Sequence, residues 1–185
     1  MRPTVRFLSD ELIDRIVAEA RDILHRLGME IHNEQLLGLL AEHGAKVDQA
    51  AQRALFPDAL IDQALKAAPR SFKLYDVLGN QTHDFSGHNV HFTPGSAAIN
   101  VLDGETDKIR RPTTADYVRY AKVVSRLPHL AAQSTAFIPA DVHQNISDSF
   151  RLYLSLMYGE KPVVTGAFTI DAFNIMCDLQ LAVRG

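Results

Sequence analysis

The second half of the chain alternates apolar stretches with helical patterns, and this order restricts the fold more than any other feature. Extended stretches at 89–93 and 97–102 are followed by helical spacing at 113–127, an apolar stretch at 131–139, helical spacing at 145–158, an apolar stretch at 162–168 and helical spacing at 170–183. Strands that are apolar almost throughout are typical of parallel sheets covered by helices on both faces. The order predicts an α/β protein, either a (β/α)8 barrel of the TIM type or a doubly wound sheet.

The length of this repeating part is short for such a fold. About three strand–helix units fit between residues 88 and 185, whereas an eightfold barrel takes ~250 residues. The last strand would also be left as an open apolar edge, which natural proteins avoid. We therefore expect a truncated barrel, with this chain as the N-terminal part of a longer protein.

The first half of the chain has a different pattern, with three predicted helices followed by a predicted hairpin. Ser9 precedes an amphipathic helical run that stops before Gly28, Asn33 starts a second helix that ends near Gly44, and a third helix follows Pro57. The two first helices are expected to pack on one core. From residue 71 apolar and polar residues alternate as in strands, and Gly79 marks the turn of a hairpin. Residues 1–87 are thus predicted to form a helical and β-hairpin cap, and residues 88–185 the first strand–helix units.

Two polar signals lie at predicted helix starts in the second half. Thr113 with Asp116 three residues later is typical of a capping box. The tripeptide Asn145, Ile146 and Ser147 matches a glycosylation acceptor but is better interpreted as a helix cap, because no secretory signal precedes it. The helix that follows is expected to be apolar almost all round.

Composition and charge exclude several function classes. The chain has 46% hydrophobic and 22% charged residues, and 19 basic against 22 acidic side chains give a net charge of -3 without a block of either sign. Nucleic-acid binding is therefore not expected. No apolar run approaches the ~20 residues of a membrane span, and acidic residues interrupt the N-terminus before a signal sequence could form, so a cytoplasmic protein is expected. Cys177 is the one cysteine, which excludes an intrachain disulfide, and it is predicted to be a buried, inert thiol.

Three histidines and a carboxylate lie close together in the sequence: His83, Asp84, His88 and His91. On a strand, residues 83 and 91 share one face and residue 88 takes the other, so they could converge on a metal ion only across a turn near Gly87. We interpret them as polar residues of a hairpin and predict no metal site.

Candidate site residues follow from the expected parallel sheet. Neither a nucleophile elbow nor a glycine-rich nucleotide loop is present. In parallel α/β folds the chemistry gathers at the carboxyl ends of strands. This predicts Phe137, Thr165 and Phe168 as substrate-binding residues, with the alternative that both phenylalanines belong to the core.

A long ordered series of features resembles the trimethylamine methyltransferase family. The series comprises Phe92, the turn Pro94-Gly95, the strand Asn100 to Asp103, the helix start Arg110-Arg111-Pro112-Thr113 with Asp116, and the ending Leu127-Pro128. The opening FLSDELIDRIVAEARDILHRLGMEIHNEQLLGLLAEHGAKVD is also similar to the family's N-terminal helical segment.

The resemblance implies a (β/α)8 barrel enzyme that transfers a methyl group from a methylated amine to the cobalt of a corrinoid. The amine would be trimethylamine, glycine betaine or a related quaternary amine, and the corrinoid (cobalamin) would be carried by a cognate partner protein rather than bound directly. Some members use a pyrrolysine encoded far downstream of this stretch, so no catalytic residue is carried over. A homo-oligomer is possible, and this 185-residue stretch alone is expected to be inactive.

Other interpretations stay open at this point. One is a non-catalytic truncated paralogue or a binding module of the same fold, and another is a barrel enzyme of different chemistry. For the methyltransferase, the predicted site has a chemical basis. A tetraalkylammonium has no N–H to donate, so aromatic faces such as those of Phe137 and Phe168 would hold it.

Overall fold

The computed structural model of this chain describes residue 3 and residues 5–184, and within them it is a mixed α/β structure of helices and small sheets. The chain divides into two units, Met1–Pro69 and Arg70–Gly185, which are described separately below. The hairpin that follows residue 71 belongs to the second unit. The predicted division at residue 87, between a cap and the strand–helix units, stays a prediction.

The first unit combines three helices with one small antiparallel sheet. Its elements are α1 (Asp10–Arg26), β1 (Met29–Glu30), α2 (Glu34–Glu42), β2 (Lys46–Asp48), β3 (Arg53–Leu55) and α3 (Asp58–Ala67). The central strand β3 pairs antiparallel with both β1 and β2.

The predicted helix boundaries in this unit are confirmed by their caps. The Ser9 hydroxyl accepts a hydrogen bond from the Leu12 N–H, and the Asn33 side chain accepts one from the Leu36 N–H at 2.8 Å. After α1 the backbone turns at Gly28, with φ +63°, a conformation in which glycine has no steric penalty.

The core of the first unit is built on α2 and the sheet. Leu37, Ala45 and Ala54 are buried. The first two helices were expected to pack on one core, but α2 contributes the buried Leu37 whereas no residue of α1 is fully buried and its Ile16 is half exposed. Near the end of α1, the Leu24 carbonyl accepts a hydrogen bond from the Phe56 N–H, and the Leu27 carbonyl accepts one from Arg53 Nη1.

The second unit contains two antiparallel hairpins followed by alternating helices and parallel strands. Its elements are β4 (Lys73–Tyr75), β5 (Gln81–Asp84), β6 (Val101–Leu102), β7 (Ile109–Arg110), α4 (Thr114–Ser125), β8 (Gln133–Ser134), a 3-10 turn (Gln144–Ile146), α5 (Ser147–Tyr158), β9 (Val163–Val164) and α6 (Ile170–Arg184). The predicted hairpin near Gly79 is formed by β4 and β5, and β6 pairs with β7.

Three segments of this unit run parallel to one another. β8 pairs in parallel with β9, and segment 92–98 lies parallel to segment 130–138 through bridges at Phe92 and Ala98. Further backbone bonds run from the Ala98 N–H to the Ala136 carbonyl at 2.7 Å and from the Ile138 N–H to the Ala98 carbonyl at 3.0 Å. The order 92–98, 130–138, 162–165 and its parallel direction agree with the sequence prediction.

The predicted strands are nevertheless shorter than expected. Regular pairing covers Gln133–Ser134 and Val163–Val164 rather than 131–139 and 162–168. The stretch 89–93 has a single bridge at Phe92, and the stretch 97–102 has a single bridge at Ala98 followed by the two-residue strand β6. Prolines at 94, 139 and 162 lack the N–H that a continuous ladder needs.

Of the two helix caps predicted in the second unit, the one at the start of α4 is correct and the one at the start of α5 is wrong. The Asp116 carboxylate accepts hydrogen bonds from the N–H and the hydroxyl of Thr113, which confirms the capping box. Asn145 does not cap a helix, because it lies inside the 3-10 turn that His143 caps, and α5 begins after Ile146 without a side-chain cap. No helix among the described residues is long and apolar enough to cross a membrane.

Candidate functional site at the carboxyl ends of the parallel strands

The carboxyl ends of the parallel segments carry the three predicted site residues. Thr165 follows β9, and its hydroxyl lies 3.0 Å from the hydroxyl of Thr135, which follows β8. This contact is a consequence of the parallel register, which sets Ser134 beside Val164 and brings the next residues side by side. Thr165 and Thr135 thus form one polar pair at this end of the ladder.

Phe137 lies against the core at the same end. Its ring is half buried and meets Tyr120 and Tyr117 edge-on, with centroid distances of 5.2 and 6.5 Å. These contacts place Phe137 with the apolar cluster that joins α4 to α5. The alternative reading of this residue as a core residue is therefore supported by its contacts.

Phe168 has different surroundings. The residue is 59% exposed, and its ring lies over the guanidinium carbon of Arg151 at 5.1 Å from the centroid. Its backbone N–H donates to the Asp148 carboxylate. Among the described residues no ring contact joins Phe168 to Phe137, so the structure does not bring the two predicted aromatic residues into one cluster.

A buried ion pair beneath Phe168 was missed by the sequence analysis. Arg151 and Asp148 are one turn apart on α5, with side chains 1% and 4% exposed and 2.6 Å between Nη2 and Oδ1. Arg151 also donates from Nη1 to the Thr135 carbonyl at 3.0 Å and from Nε to the Ser147 carbonyl. Two opposite charges at i and i+3 inside an otherwise apolar helix were the available signal. The expectation of a helix that is apolar almost all round is wrong for this buried face, which carries Asp148 and Arg151.

A second charged network lies at the start of α4. Arg110 donates to both oxygens of Asp116, at 2.7 and 2.9 Å, and to Asp103 at 2.6 Å. The hydrogen bond from Arg110 holds the pKa of Asp116 well below its usual range, and the same guanidinium lowers the pKa of Asp103 to about 2. Both carboxylates are ionised at neutral pH, and they fix the β6–β7 hairpin to α4.

Two phenols lie in the core beside the candidate site. Burial raises the pKa of Tyr117 to about 12, and burial also raises the pKa of Tyr120. The Tyr120 hydroxyl bonds to the Ser134 hydroxyl at 2.9 Å, and the Ser134 hydroxyl donates to the Gly95 carbonyl. The protonated phenols therefore act as fixed hydrogen-bonding groups that join α4 to the parallel ladder.

Of the three clustered histidines, His83 lies on β5 of the β4–β5 hairpin, whereas His88 and His91 follow that hairpin. His83 is buried, its ring lies 4.9 Å from that of His91, and both contact Phe85. The Nε2 atom of His91 bonds to the backbone of Asp84 rather than to its carboxylate, while His88 is exposed. Burial, and secondarily His91, lower the pKa of His83. Within the described part of the chain, no group of three or more histidine, cysteine, aspartate or glutamate side chains is placed to hold a metal ion.

Cys177 is half buried rather than buried, contrary to the prediction. It faces a cleft of about 840 Å³ formed by segment 73–77, α5 and α6. Residues 160–163, at the amino end of β9, line the same cleft. This cleft therefore lies at the opposite end of β9 from Thr165 and Phe168, and it is separate from the candidate site.

Comparison with known proteins identifies the class. Residues 1–179 match the family model described as trimethylamine methyltransferase (MTTB), and the chain belongs to this family. It is 28% identical over 163 residues to a glycine betaine methyltransferase of Desulfitobacterium hafniense strain Y51, which covers 86% of this chain and 33% of that protein. It is 22% identical over 139 residues to the trimethylamine methyltransferase MttB of Desulfitobacterium hafniense strain DSM 10664 / DCB-2, which covers 75% of this chain and 28% of that protein.

The chain thus spans about a third of the length of the curated relatives that it matches. The match confirms the family indicated by the sequence series from Phe92 to Pro128. The activity of the whole protein is taken up below as a proposal.

Proposed function

We propose that the complete protein transfers a methyl group from a methylated amine to the cobalt of a corrinoid carried by a cognate partner protein. The amine is trimethylamine, glycine betaine or a related quaternary amine. The observation that carries the proposal is the family match over residues 1–179, and the two curated relatives are named glycine betaine methyltransferase and trimethylamine methyltransferase.

The second unit supports a location for this chemistry. We propose that segments 92–98, 130–138 and 162–165 are the first three strands of a (β/α)8 barrel. They run parallel and lie next to one another in chain order, with α4 and α5 as the connecting helices. Substrates of such barrels bind at the carboxyl ends of the strands, where Phe137, Thr165 and Phe168 lie.

The chemistry of the amine supports a substrate-binding role for these residues. A quaternary ammonium group is attracted to aromatic faces, at about 0.5–2 kcal/mol for each, and it offers no N–H to a hydrogen-bond acceptor. Phe168 presents a largely exposed ring at the end of β9. Phe137, which packs against Tyr120, contributes an apolar surface to the proposed site. Thr165 contributes a polar group, its hydroxyl, which is paired with the hydroxyl of Thr135.

The corrinoid is the methyl acceptor and belongs to the partner protein in this proposal. Its reduced cobalt supplies the nucleophile, so the amine-binding protein needs to orient one N–CH3 bond and exclude water. The surroundings of the candidate site suit that task. The charges beneath Phe168 are paired, and the neighbouring phenols stay protonated at neutral pH.

Residues 1–185 alone are proposed to be inactive. In the proposed barrel they would supply three of eight strands, and a substrate pocket of this kind is assembled from loops contributed by most of the strands.

The proposal is tested with the complete protein, a candidate corrinoid protein in its Co(I) form, and a panel of trimethylamine, glycine betaine and related quaternary amines. With the correct amine, the absorbance of Co(I) is expected to be replaced by that of methyl-Co(III), at a rate that depends on the methyltransferase. An unchanged spectrum with every amine of the panel, under conditions where methyl iodide converts the same corrinoid protein, would overturn the proposal.

A further inference from the structure

We infer that Asp148 and Arg151 are positioning residues for Phe168, and that Phe168 determines the affinity for the cationic amine. The inference rests on the proposed function and deepens it. It assigns the recognition of the ammonium group to one ring and the orientation of that ring to a buried ion pair.

The orientation of Arg151 is fixed on all three of its nitrogen atoms. Nε donates to the Ser147 carbonyl, Nη1 to the Thr135 carbonyl and Nη2 to the Asp148 carboxylate. Since the side chain is 1% exposed, water does not compete for these bonds. The planar guanidinium is therefore held in one orientation relative to the end of β8.

Asp148 connects this cation to the chain that follows β9. One carboxylate oxygen accepts from Arg151, and the other accepts from the backbone N–H of Phe168. The position of the residue 168 backbone is thus coupled to α5. The guanidinium then lies against one face of the ring, at 5.1 Å from the centroid.

The remaining exposure of Phe168 makes the ring available to a ligand. The residue is 59% exposed at the carboxyl end of β9, although two buried charged groups hold its backbone and one ring face. Phe168 follows β9, at the end of the strands where the substrate of a parallel α/β fold binds.

The pairing of charges is needed for the ring to attract a cation. An uncompensated guanidinium on one side of the ring would repel an ammonium group on the other. Asp148 compensates that charge at 2.6 Å, which leaves the quadrupole of the ring as the main electrostatic feature that the amine meets.

The experiment compares Phe168→Leu with the matched control Phe173→Leu in the complete protein. Phe173 lies on α6 and is also 59% exposed, so both variants replace an equally exposed phenyl ring by an apolar side chain without a π face. Phe168→Leu is expected to raise KM for trimethylamine or glycine betaine by roughly 2- to 30-fold with little change in kcat, the range expected for one cation–π contact. The control is expected to leave both constants unchanged.

A charge variant tests the positioning role. Asp148→Asn removes the compensating charge. The double variant Asp148→Leu, Arg151→Met removes both charges together with the acceptor of the Phe168 N–H, and it leaves no buried cation unpaired. Asp148→Asn is expected to raise KM at least as much as Phe168→Leu. The double variant is expected to retain the folded state but to increase hydrogen exchange at the Phe168 amide, which Phe173→Leu leaves unchanged.

The outcomes separate this inference from the proposed function. If wild-type protein shows no methyl transfer, the proposed function fails, and hydrogen exchange at residue 168 alone decides the positioning role. If wild-type protein is active and Phe168→Leu behaves like Phe173→Leu, the assignment of Phe168 is wrong. Equal exchange at residue 168 in the double variant and wild-type protein would overturn the role of the ion pair.

Discussion

The phenol of Tyr117 and the hydroxyl of Ser155 share a hydrogen bond of 2.7 Å inside the core between α4 and α5. The same phenol lies 3.3 Å from the Ser134 carbonyl on β8, to which it donates. One buried group therefore connects two helices and a strand of the parallel ladder. Its contribution to stability is measurable in two ways.

Tyr117→Phe is expected to lower the free energy of unfolding by about 1–3 kcal/mol, because it leaves the buried Ser155 hydroxyl without its phenol partner. Equilibrium urea unfolding measures this change. Tyr153→Phe is the matched control, since Tyr153 is 42% exposed, and it is expected to stay within about 0.5 kcal/mol of wild type. Equal stability of the two variants would contradict the buried connection.

The ionisation of the same phenol predicts a loss of stability at high pH. An unfolded tyrosine releases its proton near pH 10, whereas burial raises the pKa of Tyr117 to about 12. Between these values the unfolded state binds fewer protons than the folded state, so stability falls as the pH rises from about 10 to 12. Unfolding midpoints across this range are expected to fall less in Tyr117→Phe than in wild type.

Arg110 and its two carboxylates predict the response to acid. The pKa values of Asp103 and Asp116 lie below their unfolded values, so their contribution to the stability of the folded state is present above about pH 4 and is lost as the pH falls through the folded values near 2 and below.

The substitution Asp116→Ala also removes the capping box, and it is expected to lower the free energy of unfolding by about 1–2 kcal/mol at pH 7. Asp178→Ala, at an exposed position of α6, serves as the control in the same unfolding assay.

Substitutions at two glycines, one in the turn after α1 and one inside α2, are expected to have opposite effects on stability. At Gly28 the backbone has φ +63°, and an added Cβ would lie 2.0 Å from the Ala54 carbonyl oxygen, so Gly28→Ala is expected to cost at least about 2 kcal/mol. At Gly38, inside α2, an added Cβ has no neighbour within 4 Å, and Gly38→Ala is expected to stabilise by about 0.5–1 kcal/mol. Thermal unfolding of the two variants checks the difference in sign.

Lys161 binds backbone carbonyl groups at the C-terminal end of α4 and in the segment that follows it. Its ammonium group donates to the carbonyls of Val124, Leu127 and Leu130, each at 2.7 Å. Lys161→Met is expected to cost about 2 kcal/mol in urea unfolding, because it removes charge-assisted hydrogen bonds to three carbonyls. Lys108→Met, at an exposed position, should leave the midpoint unchanged, and similar midpoints for both variants would contradict this role.

Local chemistry explains which parts of the fold were predictable from the sequence. Ser9, Gly28 and the pair Thr113 and Asp116 act through contacts within a few residues, so their effect can be read from spacing alone. Strand lengths depend on pairing with distant segments and on prolines that interrupt the ladder. The extents predicted for 131–139 and 162–168 were therefore too long, although their parallel direction was correct.

In the candidate site too, the features that depend on local order were predictable and those that depend on distant contacts were not. The carboxyl ends of the strands follow from the order of elements, and Thr165 and Phe168 lie there. The interaction of Phe168 with Asp148 and Arg151 depends on how α5 is rotated against β9, which no local pattern specifies. The charged pair was visible at positions i and i+3, but its burial became clear only in the folded structure.

The most direct test of the proposed function follows the methyl group itself. Amine labelled with 13C in its methyl groups is incubated with the complete protein and the Co(I) corrinoid protein, and the products are measured by NMR. We expect one demethylated amine for each methyl group that appears on cobalt: dimethylamine from trimethylamine, or dimethylglycine from glycine betaine. Persistence of the labelled amine, with no demethylated product while the corrinoid protein remains competent to accept a methyl group from methyl iodide, would contradict the account.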